Sequence, residues 1–304
     1  VNTTEHGGTN GTGFSGAVGL VLARPARLLG IEPFFMEFIA GIEERLAERG
    51  LSVLLHVVAT QEAEIAAYRR WADRGLVDTV VVVNRTVDDK RLPVLRELGL
   101  PAVLVGAGGD AADTGDGGGP AMPVIRTDDA GPVREALAHL LDLGHRRIAR
   151  VSGPANLLHT RARTAALVEG CREVGVEPVV VEGDYSDEAG ARLTKALLRR
   201  PDPPTAILYD NDVMAVAGLG AAKEMGVPVP ERLSLIAWDD STLCRLASPP
   251  LTTMSVEVHQ YGVLVAESVL ELLDGVPVAE RWSPTARCVP RGSTARCAVP
   301  STTA

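Results

Sequence analysis

The residues able to do chemistry fall into a few sets. Residues 103–111 read VLVGAGGDA, a G-x-G-x-x-A pattern behind an apolar run. Such glycines bind a dinucleotide only when a helix opens directly at them and meets the pyrophosphate. More Gly, Asp and Pro follow as far as Pro120, so no helix can start and the nucleotide reading falls. The six histidines, His6, His56, His139, His145, His159 and His259, have neither HxxxH nor HExxH spacing and make no metal set. His145 is expected to end a helix, its positive charge favoured by the C-terminal dipole. Neither a P-loop nor a G-x-S-x-G elbow is present. Acid pairs stand at Asp128–Asp129 and Asp239–Asp240. They could do general acid–base work, but acceptors at loop starts are the simpler reading. No catalytic set survives, and neither an enzyme nor a cofactor or metal is expected.

A different group does survive, placed after apolar strand-like runs. Phe34 and Phe35 follow the first, Asn84 and Arg85 the third. Arg161 and Arg163 come after Gly153–Pro154, and Tyr185 ends a Gly–Asp–Tyr turn. Asn211 and Asp212 follow Tyr209, and Asp239 follows Trp238. In open α/β sheets that carboxyl edge is where ligands bind. Aromatics with Arg, Asn and Asp suit a sugar-sized polyol, whose hydroxyls need paired donors and acceptors while its C–H face stacks on a ring. Taken singly, Phe35 reads as core and Asp212 as a helix cap.

The elements that must position these residues alternate along the chain. Strands are expected at 18–22, 52–58, 79–83, 102–105 and 122–125, then at 148–151, 178–181, 206–209 and 233–237. Helices are expected at 35–46, 62–73, 88–98, 133–141, 161–174, 187–199, 212–225 and 259–273. This rhythm means βαβ units and parallel sheets, and about ten strands exceed one comfortable open sheet. The expected fold class is therefore α/β, with two doubly wound, Rossmann-like lobes and a ligand cleft between them. Residues 106–120, with seven glycines, read as a mobile surface loop.

Composition sets outer limits. The 304 residues are 46% hydrophobic and 23% charged, enough for a sizeable core. A net charge of -9 excludes a basic nucleic-acid footprint spread over the chain. Four cysteines without CxxC spacing read as reduced thiols in a cytoplasmic protein. No apolar run approaches the roughly 20 residues that cross a bilayer, so no membrane association is expected. Residues 1–16 lack the basic and apolar regions of a secretory signal and read as a flexible tail.

Seven stretches in order now carry a resemblance: PFF at 33–35, LGHRRI at 143–148, Gly153–Pro154 with Arg163 ten residues past the glycine, YDNDVMA at 209–215, VPERLSLIAWDD at 229–240, PPLTT at 249–253 and PRGST at 290–294. Together they resemble the effector-binding domain of the LacI/GalR (lactose-repressor) family of transcriptional regulators, over about residues 19–294. The resemblance implies the type I periplasmic-binding-protein fold. Its N-terminal lobe would comprise 17–127 plus 257–285, its C-terminal lobe 128–256 plus 286–294, and 295–304 would be a loose tail. It also implies effector contacts from Arg163, Asn211 and Asp239, an aromatic wall at Tyr185, and an apolar face from Phe34 and Phe35. Asn84, Arg161 and Val258 are further candidates. The chain departs from the family pattern at Glu32, Gly106 and Val258, where Asn, Asp and an aromatic are common. The implied partners are a sugar-like effector, a second copy in a homodimer, and operator DNA. That DNA would be read by a helix-turn-helix segment, a pattern that residues 1–16 do not carry. The apolar stripes at 65–71 and 92–98 are the expected dimer surface. A solute-binding receptor of a sugar transporter is the alternative reading.

Overall fold

The computed structural model describes residues 15–24, 33–106 and 122–298. Most of the glycine-rich loop, Glu32 and the greater part of the two tails lie outside the described residues. The first sheet holds β1 (Ala17–Ala23), β2 (Ser52–Val58), β3 (Thr79–Val82), β4 (Ala102–Val105), β5 (Val124–Arg126) and β11 (Arg281–Trp282), in the order β11-β5-β4-β3-β1-β2. The second holds β6 (Ile148–Ser152), β7 (Val179–Glu182), β8 (Ala206–Tyr209), β9 (Ser234–Trp238), β10 (Thr252–Ser255) and β12 (Arg287–Val289), in the order β12-β10-β9-β8-β6-β7. All neighbours run parallel except β10 and β12. The two lobes thus share one winding, with the order reversing between β1 and β3 and again between β6 and β8. A crevice forms at such a reversal, because the connecting helices leave on opposite faces.

Helices cover both faces of each sheet. In the N-terminal lobe, α1 (Pro33–Ala47) and α9 (Val258–Leu273) bury Phe38, Ile42, Val265 and Val269 on one face. Gly41 faces the His259 carbonyl and Gly262 faces the Phe38 carbonyl so closely that neither position has room for a Cβ. These two glycines set how near α1 and α9 approach. On the other face α2 (Gln61–Arg74) and α3 (Arg91–Glu97) pack Ala67, Tyr68, Trp71, Leu92 and Leu95 against the strands. Of the stripes expected to form a dimer surface, Ala67, Tyr68, Trp71, Leu92 and Leu95 are therefore core, and Ile65 and Leu98 are half-buried. The C-terminal lobe repeats the pattern, with α4 (Gly131–Asp142) and α5 (Leu158–Glu173) on one face and α6 (Asp187–Leu198) and α7 (Asp212–Glu224) on the other. A short helix, α8 (Thr242–Leu246), follows β9. Among the described residues no helix is long and apolar enough to cross a membrane.

Local chemistry explains where the boundaries moved. α3 starts at Arg91 rather than 88, because Asp88 is left-handed (φ 52°) and the Asp89 carboxylate accepts from the amides of Thr86 and Arg91. α7 is capped by Asn211, whose Oδ1 accepts from Met214 N at 2.9 Å, and not by Asp212 as expected. Residues 294–298 are not loose. Cys297 N donates to Leu143 O (2.7 Å), and Ser293 Oγ donates to Leu235 O (2.6 Å).

His145 joins that anchor, which corrects its expected role as a cation at a helix end. The ring is buried. Its Nε2 donates to Ala295 O at 3.1 Å, and Nδ1 lies 2.9 Å from the Thr205 hydroxyl. Burial lowers its pKa below the ordinary histidine value, so the fold holds it neutral. The unfolded chain binds that proton more readily, so stability is complete above about pH 6.5 and is lost as pH falls below it. Urea denaturation at pH 7.5 and 5.5 should show the stability gap between wild type and His145→Gln shrinking on acidification. A gap that widens would contradict this assignment.

Candidate functional site

The carboxyl ends of both sheets face each other across a chamber of about 130 Å³. One water needs about 10–15 Å³ of such space, so the chamber admits roughly ten heavy atoms, the size of a monosaccharide. The chain passes between the lobes three times, at 127–130, 256–257 and 283–286. Thr127, Asp128, Asp129, Val256, Ser283, Pro284 and Ala286 bring all three crossings to the chamber wall.

The C-terminal lobe builds its side from an ion pair. Arg150, on β6, donates through Nε and Nη2 to the two oxygens of Asp210 at 2.8 and 2.7 Å, with both side chains fully buried. Its Nη1 reaches Thr164 Oγ1 (2.8 Å), and Asp210 Oδ2 also accepts from Gly153 N (2.8 Å). This brace joins the middle of β6, and through Gly153 its end, to the end of β8, where the strand order reverses. Next along the chain, Asn211 Nδ2 donates to Tyr185 O at 3.0 Å and holds Tyr185 over the chamber. Tyr185 and His159 meet at 2.8 Å between the hydroxyl and Nε2. Burial, reinforced by Arg163, Arg24 and Arg150, drives the His159 pKa well down and keeps the ring neutral.

Arg163 stands one helical turn beyond His159 on α5, with its guanidinium 3.7 Å from the centre of the Trp238 ring. Its Nε donates to Asp129 Oδ1 at 2.9 Å. Asp129 is buried, and burial raises its pKa, although Arg163 opposes the shift. The Arg–Asp grip of this chain thus runs from α5 to the first crossing. Asp239 lines the same chamber from the end of β9.

The N-terminal lobe contributes aromatics. Phe34 stacks on Phe38 at 6.0 Å, and Phe38 meets Tyr261 edge-on at 5.4 Å. Phe35 is both core, as its spacing implied, and chamber wall. Arg24, just past β1, places its guanidinium 4.7 Å from the Phe35 ring and 5.2 Å from Tyr185, so it spans the lobes as a cation–π bridge. A backbone clasp closes that side of the cleft. Val87 N donates to Asn156 O (3.0 Å), and Leu158 N donates to Arg85 O (2.9 Å).

Of the sequence candidates, Phe34, Phe35, Asn84, Arg163, Tyr185, Asn211 and Asp239 meet in this chamber. Arg161 is exposed on α5 and is not among its lining residues, and Val258 faces a neighbouring groove. Both oxygen and nitrogen of the Asn211 amide are occupied by protein partners, so its place is to cap α7 and position Tyr185. Three of the four described non-glycine residues with positive φ, Asn84, Tyr185 and Asp239, line the chamber. Such conformations cost free energy and concentrate at binding sites. Sequence reasoning passed over Arg24, Asp129, His159, Asp210 and Trp238. Arg24 obeys the strand-end rule, and His159 lies four residues before Arg163, on the same face of a helix.

Twin doubly wound lobes, three crossings and a polar chamber between them define a periplasmic-binding-protein-like ligand-binding unit. A family of that description, the periplasmic binding protein-like domain, matches residues 137–294. The HTH-type transcriptional regulator AglR of Rhizobium meliloti (strain 1021) is 32% identical over 298 residues, covering 93% of this chain and 79% of the relative. A LacI family transcriptional regulator of Bifidobacterium animalis subsp. lactis DSM 10140 superposes with a TM-score of 0.82 at 34% identity, covering 94% of this chain and 100% of that one. The transcriptional regulator CelR, solved as a cellobiose complex, has a TM-score of 0.82 at 26% identity, covering 92% of this chain and 85% of its own. The chain belongs to the LacI/GalR family of transcriptional regulators, and the two lobes are its effector-binding domain.

The brace at the chamber floor has a measurable consequence. Replacing Asp210 by Ala leaves Arg150 charged and buried with Thr164 alone. The loss should be about 3–5 kcal/mol of unfolding free energy in urea titrations. A loss below about 1 kcal/mol, the worth of one ordinary hydrogen bond, would show that the pair does not organise this edge.

Proposed function

We propose that the chamber takes a sugar or a closely related small polar metabolite as effector, in a cytoplasmic, homodimeric regulator. The observation that carries this reading is the pairing of polar and aromatic walls. Arg163, Asp129 and Asp239 can exchange hydrogen bonds with hydroxyls, and Phe34, Tyr185 and Trp238 offer faces for C–H stacking. CelR, similar in fold, was solved with cellobiose, which supports a sugar. The titratable groups are tied to one another, Arg163 to Asp129 and His159 to Tyr185, an arrangement suited to holding a ligand rather than turning it over.

Because all three crossings border the chamber, a ligand drawn against both lobes changes their angle directly. A differential affinity of about 1–3 kcal/mol for the two lobe arrangements would suffice to switch operator occupancy through a helix-turn-helix segment. With most apolar residues of the stripes at 65–71 and 92–98 committed to the core, the dimer surface moves to the edge strand β2. There Leu54 and Leu55 are exposed. Sedimentation velocity at micromolar concentration should give a dimer; a monomer alone would refute this assembly.

A thermal-shift screen of mono- and disaccharides tests the reading. At a hundredfold excess over Kd a bound sugar adds about 2.7 kcal/mol. Arg163→Ala and Asp239→Ala should each abolish the shift, and an unchanged shift in both would remove these residues from the site.

The clasp predicts a subtler effect. Leu158 is the first residue of α5, and Leu157 before it is extended (φ −78°, ψ 135°), so Leu158→Pro fits the helix while deleting one interlobe bond. If the clasp belongs to the ligand-closed form, calorimetry should show sugar affinity reduced by about twofold to tenfold, the worth of one hydrogen bond. Unaltered affinity would mean that the clasp persists in both lobe arrangements.

A further inference from the structure

We infer that the chamber opens into a second subsite, and that the effector is an uncharged glycoside of at least two sugar units. This rests on the sugar-sensing reading and deepens it. A groove of about 800 Å³ lies between α1, the turn after β9, α8 and the start of α9. Phe34, Asp239 and Val256 wall both the groove and the chamber, so the two spaces adjoin.

Direction follows from what closes the other side. Towards the loops after β1 and β3, the Phe35–Arg24–Tyr185 stack spans the lobes. The cavity beyond it is bordered by Thr86, Asn156 and Leu157, at the backbone clasp. A ligand longer than the roughly ten heavy atoms of the chamber therefore extends towards α1 and α8.

The groove suits a second sugar. Met36, from the N-terminal lobe, and Leu243, from the C-terminal lobe, are 47% and 41% exposed and line it from opposite sides. An exposed apolar side chain on each wall is what the two C–H faces of a pyranose need. Glu37 and Glu257 supply acceptors for its hydroxyls.

Charge narrows the class. Five carboxylates line the groove, those of Glu37, Asp212, Asp239, Asp240 and Glu257, against the guanidinium of Arg245, while Asp240 is also paired with Arg291 at 2.6 Å. Arg245 is already spent on the Asp240 carbonyl and Thr242 Oγ1, at 2.6 and 3.1 Å, and His259 pairs with Glu44. A phosphorylated sugar would bring like charge into an acid-lined space, whereas a neutral polyhydroxyl unit finds acceptors there.

Isothermal titration of the whole chain tests this with glucose, galactose, mannose, their α- and β-linked disaccharides, and the 6-phosphates of the tightest-binding pair. The expected result is a disaccharide bound at least about tenfold more tightly than its parent monosaccharide, with the phosphorylated disaccharide weakened by about tenfold or more. Leu243→Ser and Glu37→Gln, both at exposed positions, should weaken the disaccharide by about threefold to tenfold and leave the monosaccharide unchanged. A monosaccharide that binds as tightly as its disaccharides, or variants that weaken both alike, would overturn the second subsite and leave the sensing role standing. If none of these sugars binds the wild-type chain, the sensing reading falls and takes the second subsite with it.

Discussion

An ion pair with no exposure to solvent, Arg150 with Asp210, organises the binding edge of the C-terminal lobe. Removing two charges from water is expensive, and such a pair is tolerated only when every remaining donor and acceptor finds a partner. Here the two bonds between them are completed by Thr164 and the Gly153 amide. The pair links the middle of β6 to the end of β8, and the Gly153 amide ties in the end of β6, so together they fix the crevice where the strand order reverses. From Asp210 the chain runs directly into Asn211, which holds the backbone of Tyr185, which in turn meets His159. One buried electrostatic contact thus sets the positions of most of the groups on that side of the chamber.

The N-terminal lobe reaches its side of the cleft by close packing instead. Two facing glycines, Gly41 and Gly262, let α1 and α9 approach until side chains are excluded between them. That approach places Phe34, Phe38 and Tyr261 in one aromatic cluster at the chamber wall. Tyr261 continues to Thr127 at 2.9 Å, on the first crossing. The same crossing carries Asp129, the partner of Arg163. A ligand that disturbs the Arg163–Asp129 pair acts at once on a helix of one lobe and on a segment connecting the two. This is the geometry that couples occupancy of a cleft to lobe angle, with no long relay through the core.

Strain is placed where binding can use it. Asn84, Tyr185 and Asp239 adopt left-handed backbone conformations at three different strand-end loops, all at the chamber. Each is held by neighbours on its lobe: the Asn84 carbonyl accepts from Arg91, the Tyr185 carbonyl accepts from Asn211, and the Asp239 amide donates to Met254 O. These bonds lock the loops before any ligand arrives, so a ligand does not have to order them.

Periodicity alone carried most of the architecture. Apolar runs such as TVVV at β3, which demand burial on both faces, and helices closed by glycine at Gly50, Gly75, Gly144 and Gly175 are local signals that tertiary context did not override. The strand-end rule likewise gathered Phe34, Arg163, Tyr185 and Asp239 from across the chain, because ligands must meet the carboxyl edge of a parallel sheet whatever its side chains. Short edge strands such as β11 and β12 escaped, since two or three residues have no period. Pairing escaped too. That Arg163 grips Asp129, that Asn211 serves Tyr185, that His145 is a neutral buried tie, and that Tyr68, Trp71, Leu92 and Leu95 are core are facts of distance between segments far apart in the chain. Residue type and local spacing determined which groups stand at the rim; only the packing of two sheets, across three crossings, decided which of them touch, because desolvation and ion pairing act through space and leave no mark on a linear pattern.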